Sequence, residues 1–79
     1  MASNFSLGVD IIELKKARAF YVAHRDRLPK YIRESASPVQ ELAFYLAKKE
    51  AAFKAGKNSR RRFSYLKTKK YVAVSCVGI

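Results

Sequence analysis

Ser37-Pro-Val-Gln-Glu-Leu-Ala-Phe-Tyr-Leu-Ala-Lys-Lys-Glu-Ala-Ala-Phe-Lys-Ala-Gly56 decides how the rest of this 79-residue sequence is read. Its interior is rich in Ala, Leu, Lys and Glu, which lose little side-chain freedom in a helix. Ser37 suits an N-cap, Pro38 the first helical position, and Gln40 the far end of a capping box. Gly56 is a natural stop, because it enters the left-handed backbone region at no steric cost. A helix over 38–55 follows. Within it Ala43, Ala47, Glu50 and Lys54 share one face. The small alanines allow another element to approach closely, so Glu50 and Lys54 would meet whatever docks there. Leu42, Leu46 and Phe53 are read as core.

Working outward toward the N-terminus, residues 5–12 alternate, with Phe5, Leu7, Val9 and Ile11 on one face of an extended strand. Ser6, Gly8, Asp10 and Ile12 take the other face. Helix formers begin at Glu13, and Leu14, Ala17, Phe20 and Tyr21 form an apolar stripe on a helix that frays near His24. A short helical piece around 28–33 comes next. Toward the C-terminus, Lys57-Asn-Ser-Arg-Arg-Arg62 is a basic turn. Residues 63–66 and 71–77 read as strands, joined by Lys67-Thr-Lys-Lys70. The expected architecture is α+β, one domain over 1–79. It has an N-terminal strand, a helical middle with one long helix, and a C-terminal antiparallel hairpin that can pair with the first strand.

Composition narrows the classes of function. A hydrophobic fraction of 49% argues against disorder. So short a chain buries a limited share of its surface, which makes oligomerisation a natural way to complete the core. No apolar run approaches the roughly 20 residues of a membrane-spanning helix. No basic segment leads into an apolar stretch at the start, so a cytoplasmic protein is expected. Cys76 is the one cysteine, which excludes an internal disulfide and a cysteine zinc cluster; its apolar neighbours mark it as a buried strand residue. Seventeen Lys and Arg face six Asp and Glu, a formal net charge of +11, and nothing acidic follows Glu50. Such a field gathers anionic partners, whether nucleic acid, a phosphorylated cofactor or an acidic carrier protein.

Two carboxylates stand out. Asp10 sits between Val9 and Ile11 in a strand otherwise suited to burial, where a charge is costly unless paired, hydrogen-bonded or bound to a cation. The plainer alternative is that it caps the helix beginning at Glu13. Glu50 shares its helix face with Lys54, and the plainer alternative there is an exposed i,i+4 ion pair. Together, Asp10, Glu50 and Lys54 have the residue types of a Mg²⁺-phosphate site, in which one or two carboxylates hold the metal and a lysine meets phosphate. The one histidine, His24, lies among charged residues and is read as solvated. No glycine-rich phosphate loop is present.

Gly8-Val-Asp-Ile-Ile-Glu-Leu-Lys-Lys16 resembles the opening of holo-acyl-carrier-protein synthases, where Gly-Ile-Asp-Ile-Val-Glu precedes a basic helix. Ala47-Lys-Lys-Glu-Ala-Ala-Phe-Lys-Ala-Gly56 is similar to their second signature, Ala-x-Lys-Glu-Ala-x-x-Lys-Ala. The two motifs stand in the family's order, and the resemblance covers about residues 7–56. It implies a shortened 4′-phosphopantetheinyl transferase of fatty acid biosynthesis, which moves the phosphopantetheine arm of coenzyme A onto a serine of an apo acyl carrier protein. Asp10 and Glu50 would ligate Mg²⁺, and Glu50 and Lys54 would be catalytic. Lys49, Lys54, Arg60 and Arg61 would hold coenzyme A, while Lys15, Lys16 and Arg18 would dock the acidic carrier protein. A homotrimer is the implied assembly. The chain departs from the family pattern where Tyr45 replaces an arginine, where Leu66-Lys67 stands for a Ser-His pair, and where 57–62 replaces most of a longer segment.

Two other readings remain open. Arg60-Arg-Arg-Phe-Ser-Tyr-Leu-Lys-Thr-Lys-Lys-Tyr71 interleaves basic and aromatic residues, as in nucleic-acid-binding surfaces. A relative that binds the carrier protein without chemistry is the other.

Overall fold

The long helix forms over the expected residues, and the other described elements are arranged around it. The computed structural model describes residues 6–56 and 61–78. Phe5 and the first part of the basic turn, Arg60 included, lie outside these. Strand β1 (Ser6–Glu13) leads directly into helix α1 (Leu14–His24). A single 3₁₀ turn (Arg25–Arg27) and the short helix α2 (Lys30–Arg33) connect to α3 (Pro38–Ala55). Strands β2 (Arg61–Lys67) and β3 (Tyr71–Gly78) complete a mixed α+β fold.

Both ends of α3 have local causes. Gly56 ends the helix at φ 81°, a backbone state that favours glycine, and its N–H donates to the Phe53 carbonyl at 3.2 Å. The start differs from the capping box read in the sequence. The Ser37 hydroxyl makes no cap hydrogen bond; its backbone N–H instead donates to Ser35 Oγ at 3.1 Å. The neighbouring serine offers the turn a competing side-chain partner.

All three strands are antiparallel in the order β1-β3-β2, so the last strand is central. Gly8 pairs with Cys76, Asp10 with Val74 and Ile12 with Val72. On the other side Phe63 pairs with Cys76 and Tyr65 with Val74. Paired residues point the same way, so these positions share the sheet face covered by α3. The helix lies over β1 and β3, leaving β2 at its margin. Ala43, Ala47, Ala51 and Ala55 form the buried stripe that meets Val72, Val74 and Cys76. Leu28, Ile32 and Leu42 build a smaller core beneath α1 and α2.

Two features were not foreseen. Phe53 is not core: it is 82% exposed. It continues the row of Leu42 and Leu46 along α3, but α1 and α2 cover only the beginning of that row. The more apolar face of β1 is also the open one. Leu7, Val9 and Ile11 are exposed at 55, 43 and 63% on the side of the sheet away from α3, beside Leu66 and Tyr71. Among the described residues no helix is long and apolar enough to cross a membrane.

Candidate active site

Asp10 faces α3 because Gly8 and Asp10 occupy the inward positions of β1. At Gly8 the strand comes so near α3 that an added Cβ would collide with the Ala51 carbonyl oxygen and reach within 2.7 Å of the Ala55 nitrogen. That approach, allowed by glycine on one side and alanines on the other, brings two distant motifs together. The Lys54 ammonium donates to Asp10 Oδ1 at 3.2 Å and to the Val9 carbonyl at 3.1 Å. The Asp10 side chain is 18% exposed and that of Lys54 51%, so the ion pair contributes roughly 0.2–1 kcal/mol to stability. Asp10 therefore does not cap α1, whose N-cap position is Glu13, with no side-chain cap bond.

Glu50 stands one helical turn before Lys54 on the same side of α3, exposed. It does not pair with Lys54, whose ammonium is turned toward β1; no ion pair involves Glu50 among the described residues. Three donors sit on an ammonium. Among the described residues two are engaged, by Asp10 and Val9, which leaves one for an incoming anion. The donor set suits a hard cation shared with phosphate: two carboxylates near a lysine, on an edge open to solvent. Among the described residues no group of three or more His, Cys, Asp or Glu gathers.

The other residues read as coenzyme A contacts fall elsewhere. Lys49 and Lys54 are five residues apart, about 140° around the helix at 3.6 residues per turn. Lys49 and Arg61 line a groove between α3 and β2, on the opposite side of the helix from Glu50. Arg60 is outside the described residues. The interleaved basic and aromatic stretch is divided by the strand pleat: Phe63 and Tyr65 face this groove, while Arg62, Ser64 and Leu66 lie on the open sheet face.

A second cavity of about 690 Å³ opens beside the start of α1. Lys15 and Arg18 line it, joined by Lys67, Lys69 and Lys70 from the β2–β3 turn. Lys16 points to a different side of α1, about 100° away. Thr68 shapes the turn, its hydroxyl oxygen accepting from the Tyr71 N–H at 3.0 Å. The Leu14 N–H donates to the Lys70 carbonyl at 2.8 Å and ties the turn to the helix start. Glu13 is the single carboxylate lining the cavity, and no ion pair neutralises its five cations among the described residues. The hairpin lysines were missed from sequence as part of this surface. The signal was present in the register, since pairing β1 with the last strand sets Glu13 against Tyr71 and delivers the turn to α1.

No protein-family model and no curated protein matches this sequence. The site therefore rests on its own geometry and chemistry.

Proposed function

We propose that this protein transfers the 4′-phosphopantetheine group of coenzyme A to a serine of an apo acyl carrier protein. The observation that carries the proposal is the contact of Lys54 with Asp10, which joins the two motifs at one edge of the sheet with Glu50 a turn away. In the reaction the serine oxygen bonds to the pantetheine-side phosphorus, and the pyrophosphate P–O bond breaks. Adenosine 3′,5′-bisphosphate leaves, and the serine proton passes to a base. Asp10 and Glu50 are the residues that would hold Mg²⁺, whose contribution is to neutralise the pyrophosphate charge. Glu50, exposed to incoming substrate, accepts the serine proton. Lys54 is oriented by Asp10 and Val9, and its remaining donor meets the leaving phosphate.

The cavity beside α1 supports an acidic protein as the acceptor. Five cations around one concavity repel each other, and an acidic surface relieves that cost. The open face of the sheet supports self-association, in the trimer that the family resemblance implies. A cytoplasmic location fits this reading, since coenzyme A and carrier proteins are found there.

Incubation with coenzyme A, Mg²⁺ and a bacterial apo acyl carrier protein, followed by intact mass of the carrier, tests the proposal. The carrier gains one phosphopantetheine mass with the native protein and none with Asp10→Ala or Glu50→Ala. Carrier binding without a mass change would instead identify a non-catalytic relative.

A further inference from the structure

We infer that the groove between α3 and β2 is a binding site for a free nucleotide, distinct from the Asp10–Lys54 site. Its volume is about 710 Å³, within the usual size of small-ligand pockets. It exists because α3 lies over β1 and β3 and covers the inward side chains of β2 only in part. Those side chains are flat. Phe63 and Tyr65 lie nearly parallel, 23° apart with centroids at 6.5 Å, and Phe44 meets Tyr65 edge to face at 5.7 Å. Tyr31 and Tyr45 extend the aromatic wall.

Charge gives the groove a direction. Lys48, Lys49 and Arg61 gather toward the C-terminal half of α3, whereas Glu41 stands about 10 Å earlier along the helix, beside the tyrosines. Lys48 Nζ already lies 4.8 Å from the Phe63 ring centroid, and Arg61 is held by donating to the Gly56 carbonyl at 2.9 Å. An aromatic end with one carboxylate and a cationic end with three basic groups match the two halves of a nucleotide. The base stacks at the Phe44–Tyr65 end, its exocyclic amine donating to Glu41, and the phosphate meets Lys48, Lys49 and Arg61. A single strand of nucleic acid fits less well, because the cations cluster at one end and do not track along the groove.

The test is titration of the full chain with adenosine 5′-monophosphate in EDTA, followed by amide chemical shifts. EDTA removes any divalent metal, so binding at the carboxylate site is suppressed. Saturable shifts are expected at Phe44, Tyr45, Lys48, Phe63 and Tyr65, with Gly8 and Asp10 unmoved. The exposed substitutions Lys48→Glu and Tyr65→Ala should each weaken binding about tenfold, the loss expected for one stacking or phosphate contact. Inosine 5′-monophosphate, which lacks the amine, should bind several-fold more weakly than the adenosine nucleotide. Shifts confined to the β1 edge, or no saturation at millimolar nucleotide, would overturn the inference. So would equal binding of the inosine nucleotide, or binding of an octanucleotide where the mononucleotide fails.

Discussion

A methyl group added at Gly8 has nowhere to go, since the Ala51 carbonyl and the Ala55 nitrogen already close the space. Gly8→Ala should therefore push β1 off α3 and cost about 1–3 kcal/mol, as overpacking does. Thermal unfolding would show this as a midpoint lower by several degrees. The same displacement would draw Asp10 away from Lys54, so coenzyme A binding should fall with stability. Lys54→Met separates the two effects. The ion pair itself contributes little to folding, but Asp10, 18% exposed, loses its cation, so the unfolding midpoint should fall by a few degrees while β1 stays against α3. Calorimetric titration should nonetheless show coenzyme A affinity reduced at least about tenfold, as the loss of a charged phosphate contact implies. At this scale the sequence was partly legible. Asp10 was conspicuous because a carboxylate among Val9 and Ile11 needs a partner, yet nothing local indicated that the partner was Lys54. The i,i+4 spacing pointed to a Glu50–Lys54 pair, and a backbone approach 44 residues away in sequence prevailed.

The elements were more legible than their packing. The bounds of α3 follow from helix propensity and a glycine stop, both local properties, and Pro38–Ala55 matches them. Alternation in β1 identified its two faces but not which one is buried, because burial depends on what the rest of the chain supplies. The alanines of α3 meet the Gly8–Ile12 face, and the more apolar face is left outside. Phe53 shows the same limit: a residue in a core row is buried only as far as α1 and α2 reach. The turn between β2 and β3 is where an element-scale prediction belongs. Lys69→Glu combined with Lys70→Glu reverses two exposed charges at the cavity beside α1. Carrier protein should associate more slowly with this variant and lose much of its sensitivity to salt, measured by stopped-flow binding. Coenzyme A affinity should change far less, since these lysines lie beyond Asp10 at the Glu13 end of β1 and touch neither Asp10 nor Lys54.

At the scale of the molecule, different chemistries occupy different sides of one small sheet. Carboxylates and Lys54 flank β1, an aromatic and basic groove flanks β2, and a cationic cavity sits at the α1 end. Leu7, Val9, Ile11 and Leu66 lie on the uncovered face. Self-association through that face should make sedimentation velocity concentration-dependent, and Ile11→Glu should shift the population to monomer. Behind all of these surfaces runs β3, whose Val72, Val74 and Cys76 are fully buried. Cys76 is also the sole thiol of the chain and lies between Gly8 and Phe63 in the sheet. A thiol reagent can reach it only when the sheet opens, so its labelling rate counts openings without any added probe. Each ligand that binds the closed molecule slows that rate in proportion to its own affinity. The buried sulfur is thus an internal clock against which each proposed ligand can be timed.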